Sequence, residues 1–280
     1  MGENLLTTGD GKPIGTGDAY NSDTDVIGLK LDILGKELNF CFDVGQGQAK
    51  LADIVPLART ICTKITKVVV ESIRSEGGRI PCCKGCASCC GPYLVPLSIP
   101  EALWLREEIS AAPSDRRESI FKACLLASRR ILSQKPPESF IDKTTKASHA
   151  DPVDFNLVSD WYSSFKLPCP FLYKSECAIY EQRPLACREH FVNGSSEVCR
   201  SRQGIAEVVK MPLQLPNALA QLASELEGTA PEAVIFPLAL LWCQENPQRA
   251  ERTWPKAMMV KRFVEIVETM ASKNSTAAVA

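Results

Sequence analysis

Between residues 27 and 44 apolar and polar positions alternate with period two. Ile27, Leu29, Leu31 and Ile33 are interleaved with Lys30 and Asp32, and Leu38, Phe40, Phe42 and Val44 with Asn39, Cys41 and Asp43. Such alternation gives an extended strand one apolar face. Gly35-Lys36 separates the two runs with glycine first, which predicts a two-residue type II′ turn and therefore a β-hairpin. A hairpin alone is marginal in water, so its apolar face must be covered. The expected cover is the next segment, residues 51–75, where Leu51, Ile54, Val55, Ala58, Ile61, Cys62, Ile65, Val68, Val69 and Ile73 recur at helical spacing. The intervening Gly45-Gln46-Gly47 reads as a plain strand-to-helix turn.

Further along, Ser98-Ile99-Pro100-Glu101 has capping-box spacing and should start a helix. A second helix is predicted over 114–134 with Ile120, Phe121, Cys124, Leu125, Ile131 and Leu132 inward. Residues 135–168 carry Pro136-Pro137 and many Ser, Thr and Asp, and read mostly as loop. Two or three helical patterns occupy 216–272, among them Leu219, Leu222 and Leu226, then Phe263, Ile266, Val267 and Met270. The expected fold is mainly α with an N-terminal β-hairpin and a cysteine-rich site on loops between helices. Residues 1–25, nearly devoid of apolar side chains, are expected to be a disordered leader. Residues 26–272 are expected to form one domain, and 273–280 a flexible tail.

Composition changes this picture in only one respect. A net charge of −1 gives no reason to expect a nucleic-acid or membrane partner. The local basic run Arg116, Arg117, Lys122, Arg129 and Arg130 reads as the solvated face of a helix. The first residues have neither the basic start nor the apolar stretch of a secretory signal, and Leu6 stands where a myristoylation motif needs Ser or Thr. The expected location is a reducing cytoplasm, where structural disulfides are rare. What stands out is the sulfur: 13 cysteines, an odd number, five of them in "PCCKGCASCCGP", residues 81–92.

Cys83, Cys86 and Cys89 form C-x2-C-x2-C, followed at once by Cys90, with Cys82 just before. Thiolates three residues apart can wrap a tight turn around one ion while backbone N–H groups offset their charge. Adjacent side chains diverge, so Cys89 and Cys90 are not expected to serve one metal equally. The bacterial ferredoxin run would need a fourth cysteine where Tyr93 stands. The first run therefore needs partners from elsewhere, and residues 167–191 offer them: Cys169, Cys177 and Cys187, with Cys199 a little beyond. His190 completes a C-x2-H step from Cys187, although an ordinary hydrogen-bonded histidine is an equally good reading. His149, in a polar segment, suggests no role. Cys82, Cys86 and Cys89 also match the C-x3-C-x2-C spacing of radical S-adenosylmethionine enzymes, but no alternating strand–helix series exists to build their barrel. Cys62, Cys124 and Cys243 lie in apolar helical context and read as core.

"CKGCASCC", "CPFL" and "CAIYEQRPLACR", in that order, resemble the CxxCxxCC cysteine-cluster family (YkgJ-like proteins, described as zinc- or iron-chelating). The resemblance implies metal binding by Cys83, Cys86, Cys89 or Cys90, Cys169, Cys177 and Cys187. One branch of that family contains flagellin lysine N-methylases, which implies protein lysine methylation as an alternative activity; no cofactor-binding loop for it is recognisable. Around the second cysteine group, Pro184 turns the chain at Arg183. Tyr180 is placed to shield a site from water, and Arg183 and Arg188 to balance thiolate charge.

Soft thiolates suit zinc and iron–sulfur clusters alike. Six or seven candidate thiolates exceed what one zinc uses and point to an iron–sulfur cluster or a site with more than one metal ion, so an iron–sulfur cluster is the expected cofactor ahead of zinc. The expected role is redox or metal handling, with a metal ion and a protein substrate or redox partner as binding partners. The alternatives are the methyltransferase and a structural zinc site in an interaction module.

Overall fold

The structure, a computed structural model, describes residues 24–91, 93–134, 155–201 and 207–277. Most of the expected leader and His149 lie outside the described residues. The predicted hairpin is present: β1 (Thr24–Ile33) pairs antiparallel with β2 (Lys36–Gly45), placing Leu29 opposite Phe40 and Leu31 opposite Leu38. Leu29, Leu31, Ile33, Phe40, Phe42 and Val44 are all buried on its inner face. The turn lies one residue earlier than expected. Ile33 pairs with Lys36, which leaves Leu34-Gly35 as the loop, both at positive φ (54° and 75°). That is the type I′ pattern. Asp32 Oδ1 accepts the Gly35 N–H at 2.9 Å, a local bond that supports a left-handed leucine.

After β3 (Gln48–Ala49), a 3-10 turn over Leu51–Ile54 leads into α1 (Val55–Ser75). Pro56 falls in the first helical turn, where its missing N–H costs nothing. Eight buried residues from Val55 to Val69 form the stripe that periodicity predicted. The helix ends at Gly77 (φ 84°), and Gly78 donates to the Ile73 carbonyl at 2.8 Å. A Cβ on Gly78 would stand 2.5 Å from Ile73 Cγ2 and 2.9 Å from Asn193 Oδ1, so only glycine lets the chain pass there. β4 (Pro96–Ser98) then opens α2 (Ile99–Ser110), with both halves of the Ser98–Glu101 capping box formed.

In α3 (Ser114–Leu132) the buried positions are Ile120, Cys124, Ala127, Ser128 and Ile131. Leu125 and Leu132, expected inward, are 48% and 60% exposed. The helix is turned so that Ser128 Oγ can donate to the Pro237 carbonyl at 3.1 Å. The basic residues of α3 are exposed, as expected. Within the segment read as loop, α4 occupies Phe155–Ser164. Val158 and Tyr162, one helical turn apart, are buried there, and Trp161 meets Phe165 edge-on at 4.9 Å.

The second half continues with short elements: β5 (Leu172–Tyr173), β6 (Glu176–Cys177), α5 (Leu185–Glu189), β7 (Val192–Asn193), α6 (Glu197–Ser201) and β8 (Glu207–Val208). It ends with α7 (Leu215–Glu227), β9 (Ala233–Ile235), α8 (Ala239–Glu245), α9 (Pro247–Ala250), β10 (Trp254–Pro255) and α10 (Lys256–Ala277). The last helix runs into the segment expected to be a flexible tail. Long-range pairs tie the ends together: β10 with β3, and β9 with β4.

The larger core joins the hairpin face, α1, α7 and α10. The hairpin packs chiefly on α10 rather than on the helix that follows it in sequence. A second core gathers α2, α3 and α8 around Phe171 and Phe236, whose rings stack at 4.3 Å. Among the described residues, no helix is long and apolar enough to cross a membrane.

Candidate metal centre

Two loops with little regular structure meet between these cores. The first, residues 79–95, is built of tight turns: Cys86 N–H donates to the Cys83 carbonyl at 3.1 Å and Cys90 N–H to the Ala87 carbonyl at 3.0 Å. Gly85 supplies a φ of 91°. The second carries Cys169 before β5, Cys177 at the end of β6 and Cys187 on α5. Cys169 N–H donates to the Cys90 carbonyl at 3.1 Å, which joins the two cysteine groups directly.

Each arm of the second loop has an anchor in the cores. Phe171, two residues after Cys169, is buried against Phe236. β5 and β6 pair Leu172 with Cys177 across Lys174-Ser175, both at positive φ. The five-residue helix α5 is too short to stand alone. Its Leu185 is fully buried, and the Leu185 N–H donates to Glu101 Oε1 at 2.7 Å. Glu101 Oε2 also receives Ser98 Oγ at 2.9 Å and Ser98 N–H at 3.3 Å. At the other end of α5, Glu189 Oε1 accepts the Leu215 N–H at 3.1 Å. Burial raises both carboxyls, Glu189 to about 8.

Together these loops enclose a cavity of about 120 Å³ lined by six cysteines: Cys86, Cys89, Cys90, Cys169, Cys177 and Cys187. Tyr93, Tyr162, Tyr180, Arg183 and His190 line it as well. Cys83 does not; it is exposed on the turn leading in. Cys90 and Cys199 also line a wider outer cleft of about 800 Å³, so Cys90 belongs to both spaces. All 13 cysteines are free thiols.

The cavity strongly disfavours bare thiolates. The hydrogen bond to Cys90, then burial, raises Cys89. Burial pushes Cys169 up to about 12, and raises Cys177 and, furthest, Cys187. The neighbouring sulfurs reinforce this for all four, while Arg183 acts in the opposite sense on Cys89, Cys177 and Cys187. Outside the cavity, burial also raises Cys82 and Cys199, which interact with Cys86 and Cys89.

The two arginines named from sequence do different things. The Arg183 guanidinium lies 3.8 Å above the Tyr180 ring and faces the cavity with it. Arg188 instead donates to the carbonyls of Glu181 (2.6 Å) and Arg183 (3.3 Å). Arg59 donates to the same two carbonyls, at 2.7 Å to Arg183, and stacks 4.4 Å over Trp104. Arg59 and Arg188 thus hold the 181–183 turn by its backbone. Sequence reasoning missed Arg59, and for Glu101 it saw the capping box but not the bond to Leu185, because these contacts reach residues more than 80 positions away.

His190 follows α5 and lines the cavity. Its ring lies 4.6 Å from that of Tyr93, tilted by 51°. Its Nε2 is buried without a hydrogen-bond partner, alone in this among the described residues. Burial lowers its pKa and so favours the neutral imidazole. The donor set, soft sulfurs with a neutral imidazole, suits zinc or iron. Among the described residues no three such side chains already stand as a group that could hold an ion. The thiols share a cavity without forming a coordination shell.

Residues 82–203 match the model of CxxCxxCC, described as a "putative zinc- or iron-chelating domain". This stretch, a little under half of the chain, is what resembles that family. The match contains both cysteine loops and every residue that lines the inner cavity up to His190, apart from Phe236 and Pro237 beyond it. No curated protein and no solved structure gave a significant match.

Proposed function

We propose that this protein holds an iron–sulfur cluster between its two cysteine loops and works in redox chemistry or metal handling. One observation carries the reading: six thiols from two distant segments line a single cavity. A tetrahedral zinc and a single cluster each take four protein ligands, so six thiols suffice for a cluster with two to spare or for more than one metal ion. The ligands are drawn from Cys86, Cys89, Cys90, Cys169, Cys177 and Cys187, which turn inward on binding. Cys83, part of the family motif, lies outside the lining and is assigned a lesser share.

When bound, such a cluster supplies one-electron transfer at a potential set by its surroundings. The chain's own part is to neutralise and enclose it. Arg183 brings positive charge to the thiolates, and the Tyr93, Tyr162 and Tyr180 rings exclude water. The outer cleft reaches Cys90, so the centre is accessible to a partner that takes up electrons or metal.

A structural zinc site is the competing reading. It is favoured by the scarcity of regular structure around the cavity, where β5 and β6 have two residues each and α5 has five. Such loops gain most from a metal that staples them. Protein purified without oxygen should be brown and contain iron and acid-labile sulfide in matching amounts, both lost in Cys187→Ala. Stoichiometric zinc in colourless protein sinks the cluster and leaves the zinc staple.

A further inference from the structure

We infer that His190 ligates the same centre through Nε2, making it a mixed sulfur–nitrogen site. The inference rests on the metal-binding reading above. A buried nitrogen without a hydrogen-bond partner is costly, and native structures rarely tolerate one without a reason. The His190 Nε2 is such an atom, and its side chain lines the cavity that holds the six thiols.

Geometry supports a ligand rather than a packed core histidine. His190 follows Cys187 by three residues across the end of α5, a spacing that brings both side chains to one side of a helical turn. The neighbouring Tyr93 ring restricts how the imidazole can lie. A water in the cavity is the rival partner for Nε2. A water would need two to four polar partners; the thiols are weak ones, and Arg183 and the tyrosines are the stronger ones in the lining, so the wild-type spectrum decides between water and metal. Sulfur with one imidazole is an established combination for zinc, and imidazole replaces thiolate in some iron–sulfur centres, where it raises the potential.

The test uses full-length protein purified without oxygen, as wild type, His190→Ala and His190→Cys. Metal content is measured on each, with pulsed electron paramagnetic resonance on the reduced cluster, or X-ray absorption at the zinc edge if the metal is zinc. The expected result is a directly bound imidazole nitrogen in the wild type and none in His190→Ala. His190→Cys should retain metal, lack the nitrogen signal and, with a cluster, show a lower reduction potential. A loaded wild type without a bound-nitrogen signal overturns the inference, as does a nitrogen signal that persists in His190→Ala. The wild-type spectrum decides even if a variant folds poorly. Wild type that takes up neither iron nor zinc overturns the metal-binding reading itself, an outcome distinct from metal bound by sulfur alone.

Discussion

Cys62 stands on a helix of 21 residues and Cys187 on one of five. The first belongs to a core laid down by regular elements: a ten-residue hairpin strand pair, α1, α7 and α10, all with continuous apolar faces. There the thiol is a small buried hydrophobe of the larger core, 3.8 Å from Thr66 Oγ1, with Glu189 and Arg188 near enough to act on it. Cys187 belongs to a cavity framed by turns, two-residue strands and left-handed residues. Its neighbours are other sulfurs, and its position depends on Glu101 and Arg59 reaching in from elsewhere, with Arg188 beside it on α5 bonding back to the 181–183 turn. The same side chain is thus inert filling in one region and a candidate ligand in the other. The difference lies in whether regular structure or long-range polar bonds place it.

That contrast can be broken most forcefully in the core. Phe263, fully buried on α10, should cost about 3–5 kcal/mol on replacement by Ala. Denaturant unfolding should register this equally with and without metal, and the folded fraction should keep its metal per chain. A loss of metal from well-folded Phe263→Ala would mean that the regions are not separate.

Glu101→Ala strikes the link between them. It removes the acceptor of Ser98 and Leu185 and should cost about 2–3 kcal/mol. Unlike the core variant, it should also reduce metal content, because α5 and Cys187 lose their tether. Unchanged loading in folded protein would show that Leu185 packing alone positions Cys187.

Alkaline titration probes the core cysteines. Burial first of all holds Cys62 and Cys124 at about 12 and Cys243 at about 11, against 9.0 for an ordinary thiol. Folded values above the unfolded one mean that the stability they confer is intact below pH 9 and is lost as pH rises through 11–12. Each contributes at most about 1.4 kcal/mol per pH unit in that window. Cys62→Ala should flatten the fall while leaving metal content unchanged. An identical pH dependence in wild type and variant would remove the thiol from the account.

The smallest effect is expected at the hairpin tip. Leu34 sits at φ 54°, a region that costs an L-residue about 1–2 kcal/mol. Leu34→Asn creates the Asn-Gly pair that type I′ turns favour and should stabilise the protein by about 0.5–1 kcal/mol, read as a shifted denaturation midpoint. A drop in stability would mean that the leucine makes a contact of value despite its 60% exposure.

Much of the regular framework was legible because its signals are local. The β1–β2 alternation, the α1 stripe and the Ser98–Glu101 box each depend on residues within a few positions of one another. The face of α3 was not, since a contact from Ser128 to the distant Pro237 decides it, whereas the turn register was misread although its signal, the Asp32–Gly35 bond, is local. α4 went unread because Pro and Ser around it outweighed a short stripe at Val158 and Tyr162.

By itself the sequence determined a helical protein with one hairpin, the resemblance of its cysteine-rich segment to a chelating family, and which cysteines lie in apolar helices. These follow from periodicity and spacing, which the backbone converts into structure within one or two turns. Tertiary structure alone decided that α10 covers the hairpin, that the Cys169 N–H donates to the Cys90 carbonyl, that Cys83 stays outside the cavity, and that His190 Nε2 is left without a hydrogen-bond partner inside it. Each of these depends on segments tens to hundreds of positions apart meeting in space, and spacing along one chain carries no record of such meetings.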